Sequence, residues 1–120
     1  MNSIQRLRLL RDSGVISDDI ETVLELVLAW LSNRGVPVDS ENGQMFITHL
    51  AMAVRRAKTA ETVLGLPEEI LRQAEESPHY PVAREFISFL DSLEVSLPDS
   101  EKGYVTVHIC SLLEGGEGVE

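Results

Sequence analysis

The chain has 120 residues, enough for one domain with a single core and too few for two. Hydrophobic residues make up 43% and charged residues 25%, a globular composition rather than a disordered one, and the formal charge of −10 excludes a sequence-independent grip on nucleic acid, which needs a basic surface to displace counterions. Cys110 is the one cysteine, which rules out an internal disulfide and a thiolate metal cluster and makes it a small core residue; no run has the length and apolarity to span a bilayer or lead a signal peptide, so a cytoplasmic protein without membrane contact is expected.

Residues 1–16 carry a short helical pattern of Ile4, Leu7 and Leu10, with Arg6 and Arg8 on the other side, and Asp12-Ser13-Gly14 stops it. This segment is expected to be a basic arm whose charges sit on a solvated face. Ser17-Asp18-Asp19 is an N-cap cluster, and Ile20, Val23, Leu24, Val27, Leu28 and Leu31 continue it as an amphipathic helix closed by Gly35. Leu26 and Trp30 spread apolar surface around the second half of that helix, which points to a central position or a homodimer interface. Val36-Pro37-Val38 is an extended connection, and a helix starts near Asp39-Ser40-Glu41 and runs to about Thr59. Glu61 to Leu66 reads as a loop or a frayed turn. Pro67-Glu68-Glu69 opens a short helix that buries Ile70, Leu71 and Ala74, ended by Ser77-Pro78-His79-Tyr80-Pro81; Val82, Phe86, Phe89, Leu90 and Leu93 mark another. His79, between two prolines, is a loop residue.

Residues 104–109 alternate apolar and polar side chains and are β-branched, which locally says strand. A lone strand in a helical chain has no partner for its backbone, and Val105, Ile109, Leu112 and Leu113 also fit a helical face, so a helix is predicted. The expected fold is all-α, a compact bundle of about five helices over 17–114, followed by a disordered acidic tail at 115–120.

The helix around residue 49 holds the chemistry. Seven residues advance about 700° around a helix, so His49 and Arg56 lie within about 20° of each other and roughly 10 Å apart along the axis. Phe46, Leu50, Ala53 and Ala57 form the adjacent core-facing stripe, which puts His49 at the edge of a buried face. Arg55, Arg56 and Lys58 place three of the ten basic residues within four positions. A histidine beside such charge suits phosphate or another anion, with Arg56 read as largely exposed. Asp39-Ser40-Glu41-Asn42-Gly43 and Asp99-Ser100-Glu101-Lys102-Gly103 repeat the pattern Asp-Ser-Glu-x-Gly, each ahead of a histidine, His49 and His108, although Asp-Ser-Glu is also a common helix start.

Two motifs give the chain a family resemblance. Thr48-His49-Leu50-Ala51-Met52-Ala53-Val54-Arg55-Arg56 resembles the histidine and following arginine of the phosphotransferase-system regulation domain (PRD) of bacterial antiterminators and sugar-operon activators. Residues 97–109, with Leu97-Pro98, Glu101-Lys102-Gly103-Tyr104 and His108, are similar to that family's second motif. The resemblance covers roughly Ile20 to Leu113. It implies a helical bundle, commonly dimeric, in which His49 and His108 are phosphoacceptors and Arg56, with Arg55 beside it, supports the phosphate. The implied donor is the histidine phosphocarrier protein or a sugar-specific enzyme IIB. Thr48 stands where many members have an acidic residue, which leaves the imidazole without that means of orientation. Residues 1–19 are too short for an attached nucleic-acid-binding module, so a PRD standing alone is expected, acting in trans on a separate transcriptional regulator or transporter component.

Taken without the resemblance, His49 reads as a half-buried core histidine and His108, among apolar neighbours, as a satisfied core group. An adaptor that keeps the fold without phosphorylation is the alternative function. A metal site built from both histidines has no close ligand pair in sequence, and no nucleophile-base motif or phosphate-cradling glycine loop suggests an enzyme or a cofactor.

Overall fold

The computed structural model describes residues 1–59 and 65–115, which form six helices and no strand. These are α1 (Ser3–Asp12), α2 (Asp18–Asn33), α3 (Glu41–Thr59), α4 (Glu68–Glu75), α5 (Tyr80–Ser92) and α6 (Asp99–Leu113). The all-α expectation holds, with six helices rather than about five. Residues 60–64, most of them in the stretch read as a loop or frayed turn, and 116–120, most of the expected tail, lie outside the described residues.

The extra helix is the N-terminal one. Asn2 accepts from the Gln5 amide while the Gln5 side chain accepts from Asn2 N–H, a reciprocal cap that fixes the start of α1. Leu7 is fully buried and Ile16 nearly so, and α1 packs on both α2 and α3. The short helical pattern of this segment is thus a helix whose apolar side, through Leu7, packs into the core. Of the two basic side chains on its other side, Arg8 is exposed and Arg6 reaches Gln44 and Thr48 of α3 at 3.3 Å each.

α2 starts on Ser17, whose hydroxyl accepts from Ile20 N–H, and three acidic residues follow at the positive end of the helix dipole. Ile20, Leu24, Val27, Leu28 and Leu31 are buried. α3 is buried on two adjoining stripes. Phe46, Leu50 and Ala53 form one and Ile47, Ala51 and Val54 the other, because α1 and α2 cover one side of α3 and α6 covers the other. Gly43 is required where α3 begins: a Cβ there would lie 2.1 Å from the Pro37 carbonyl oxygen.

α6 is the hub of the C-terminal half, packed against α3, α4 and α5. Being covered on three sides, it buries the stripe of Val105, Ile109 and Leu112 and, off that stripe, Cys110, with Tyr104, Val107 and Leu113 half-buried around it; its apolar residues are not confined to one face, which is why its local pattern also fits a strand. Gly103 lets α4 close on it, since a Cβ there would meet Leu71 Cδ2 at 2.9 Å. α4 contributes less than its sequence suggested: Ala74 is buried and Leu71 half-buried, but Ile70 is 39% exposed, because a helix of eight residues covers only one edge of α6. Cys110 sits in the core as expected, its Sγ 3.7 Å from the Ala74 carbonyl, and burial pushes its thiol pKa up. The radius of gyration, 13.5 Å, is that of one packed domain of this length.

Candidate functional site

The paired Asp-Ser-Glu-x-Gly segments start their helices in different registers. In the first, Ser40 Oγ accepts from Gly43 N–H and α3 begins at Glu41; in the second, α6 already begins at Asp99, after Pro98 and without a side-chain cap. The shared pattern is thus a similarity of helix starts and not a structural repeat. What it leaves intact is the placement of one histidine on each helix.

α3 and α6 run antiparallel along their shared seam. The seven-residue step from His49 to Arg56 along α3 lies against the reverse step from His108 to Glu101 along α6, so histidine meets histidine at one end and arginine meets glutamate at the other. The ring centroids of His49 and His108 are 5.8 Å apart. Tyr104 lies 5.1 Å from His49 and stacks with His108 at 6.3 Å, and Phe46 flanks His108 at 5.8 Å. A cavity of about 380 Å³ opens beside the two histidines, lined further by Asn42, Met45 and Phe46 from α3 and Ser111 and Leu112 from α6. Both histidines are half-buried, neither sealed in the core nor fully solvated.

Glu101 anchors the other end. It continues the buried stripe of Val105, Ile109 and Leu112 and is fully buried, a costly position for a carboxylate unless it is paired. Arg56 pairs it, with Nε 2.7 Å from Oε2. The Arg56 side chain is only 20% exposed, so the residue read as an exposed cation is held at the seam by a buried acid. The second carboxylate oxygen, Oε1, faces Nε2 of His49 at 3.6 Å, just past hydrogen-bond length, and both atoms are buried with no other partner. Burial lowers the pKa of His49, with Glu101 opposing the shift and Arg56 adding to it. Burial likewise lowers that of His108, helped by His49. Both rings are therefore neutral at neutral pH, the form that carries a nucleophilic lone pair.

Thr48, which stands in place of an acidic residue, turns away from this chemistry: its hydroxyl donates to the Gln44 carbonyl and accepts from Arg6. Arg55 is exposed and lies about 120° around α3 from His49, so it adds charge to the neighbourhood without sharing the histidine stripe. His79 precedes α5, its N–H bonded to Ser77, and takes no part in the pair. Glu101 and Tyr104 received no role from the sequence. The signal was present, since Glu101, Tyr104 and His108 stand at i, i+3 and i+7, the same arithmetic that joined His49 to Arg56.

Among the described residues no cluster of three or more histidine, cysteine or acidic side chains is arranged to hold a metal, and no helix is long and apolar enough to cross a membrane. A family model described as PRD domain matches residues 25–112. An uncharacterised Escherichia coli protein, YhfY, is 29% identical over 109 residues, covering 89% of this chain and 91% of its own length. A probable licABCH operon regulator of Bacillus subtilis is 29% identical over 96 residues, 77% of this chain but 14% of that protein. No solved structure matches the chain significantly.

Proposed function

The chain belongs to the PRD domain family, and from that premise we propose that it is a phosphorylation-responsive regulatory module of a carbohydrate system. His49 and His108 accept phosphoryl groups from the histidine phosphocarrier protein or a sugar-specific enzyme IIB. One observation carries this reading: two histidines 59 positions apart in sequence come together on antiparallel helices, half-buried and neutral, at the edge of a cavity with room for a phosphoryl group. A side chain kept only for packing needs no such opening. The operon regulator that the chain matches over a minor part of its own length supports the regulatory class.

Neutral imidazole attacks phosphorus in line, and the product carries close to two negative charges. Arg56, held at the seam by Glu101, is the cation we assign to balance that charge, with Arg55 strengthening the local field. The new charge, beside a buried carboxylate, changes the balance of the α3–α6 seam and so the surface that α2 and its neighbours present to a second copy or to a partner. In this reading the protein is a non-enzymatic cytoplasmic homodimer that acts in trans on a separate transcriptional regulator or transporter component. Incubation with phosphoenolpyruvate and the general phosphotransfer proteins, followed by intact mass, tests it. Addition of one or two phosphoryl masses, lost in the His49→Ala, His108→Ala double variant, is expected. No added mass with any donor returns the fold to the adaptor reading.

A further inference from the structure

The geometry points to Glu101 as the positioning residue that fixes the tautomer of His49, so that Nδ1 and not Nε2 is the phosphoryl-accepting nitrogen. This inference rests on the phosphoacceptor reading and deepens it. An imidazole has two nitrogens, and in the neutral ring one carries the proton while the other carries the lone pair. Nε2 of His49 has almost no solvent exposure although 30% of the side chain is open, and it points at Oε1 of a fully buried carboxylate 3.6 Å away. A lone pair aimed at that oxygen would set two acceptors against each other in a dry environment, whereas an Nε2–H supplies the donor that Oε1 otherwise lacks. The proton therefore resides on Nε2 and the lone pair on Nδ1. Arg56 holds the carboxylate in place through Oε2, leaving Oε1 for the histidine.

The transfer balances on these atoms. The donor is a protonated phosphohistidine of a carrier protein. Its P–N bond breaks as Nδ1 of His49 forms a new bond to phosphorus, and the donor ring leaves as neutral imidazole. His49 becomes a phosphoimidazolium that keeps its Nε2 proton. Positive charge grows on the ring as the Nδ1 lone pair is used, and Glu101 faces the atom through which that charge is best stabilised. Thr48 cannot orient the ring in this way, because its hydroxyl is committed to Gln44 and Arg6.

Long-range ¹H–¹⁵N correlation spectra of ¹⁵N-histidine-labelled protein decide the tautomer without any donor: Nε2–H with bare Nδ1 is expected at His49. The same spectra of the phosphoprotein report the linkage, expected at Nδ1. A bare Nε2 at His49, or phosphorus on Nε2, overturns the inference. In Glu101→Gln the carbonyl and amide ends of the new side chain compete for Nε2, so a tautomer mixture and at least a roughly tenfold slower phosphoryl transfer are expected; unchanged values for both count against Glu101. Should this variant fail to fold, the wild-type spectra still decide. A wild-type chain that shows the Nε2–H tautomer yet gains no phosphoryl group keeps Glu101 as the positioning residue and overturns the acceptor assignment together with the phosphoacceptor reading.

Discussion

Two seams of this molecule bury large side chains in opposite ways. Where α2 meets α5, Trp30 stacks on Phe89 with ring centroids 5.5 Å apart and 18° between planes, tilts against Phe86, and carries the Arg34 guanidinium 4.5 Å above its ring, with Arg34 also paired to Glu85. Where α3 meets α6, the side chains are His49, His108, Tyr104, Arg56 and Glu101. The aromatic junction borders the larger depression, about 700 Å³, but its charges are exposed and already satisfied by each other. The histidine seam has the smaller opening and holds a fully buried acid with one oxygen still unpartnered. Size of opening thus does not separate the two seams in the way their polar atoms do: among the described residues, only at the histidine seam does burial leave a carboxylate oxygen and an imidazole nitrogen incompletely satisfied.

The largest loss of stability is expected at the aromatic junction. Phe86 is fully buried, and Phe86→Ala should cost about 3–5 kcal/mol in chemical denaturation, the range for an aromatic side chain removed from a packed core. Arg56→Ala comes next. It leaves Glu101 buried and unpaired, and a loss of about 3 kcal/mol is expected, several times what an exposed arginine contributes. If urea midpoints show Arg56→Ala to be near neutral, the two seams do not differ in the way described.

The histidine seam alone should make stability depend on pH near neutrality. His49 and His108 have folded pKa values below the ordinary value of about 6.5, so below that pH the unfolded chain binds more protons than the folded one. Stability is then full above about 6.5 and falls as pH drops from there toward the folded values. Thermal melts at pH 7.5 and 5.5 check this, and the His49→Gln, His108→Gln double variant should flatten most of the slope.

α2 allows the proposed homodimer to be tested apart from the fold. Trp30 is half-buried in its own protomer's aromatic cluster, so Trp30→Glu confounds unfolding with dissociation. Leu26 is 51% exposed on the same helix. Leu26→Glu should leave a cooperatively folded chain that melts like wild type diluted to monomer, while shifting sedimentation from dimer to monomer. A wild-type monomer at high micromolar concentration removes the dimer. The smallest effect is expected for Arg34→Ala, at most about 1 kcal/mol, since its cation–π contact and its pairing with Glu85 are both solvent-exposed.

The sequence by itself determined the helices whose apolar residues recur on one face and whose ends carry caps. Ser17 before α2, Gly35 after it at φ +80°, and Phe46, Leu50 and Ala53 along α3 are local signals, fixed by backbone geometry within a few residues. It also placed His49 and Arg56 on one stripe, which depends only on the helical repeat. Tertiary structure decided the rest. Whether residues 104–109 were helix or strand turned on three neighbours covering α6, which erase the one-sided pattern that marks a peripheral helix. Whether the helical pattern of residues 1–16 packed into the core turned on Leu7 finding α2 and α3. Arg56 became half of a buried pair, and Glu101 became the acid behind His49, only because α6 lies antiparallel against α3. A periodicity fixes which residues share a face of one helix; which face meets which, and therefore which charges must be paired, is set by the packing of the whole chain.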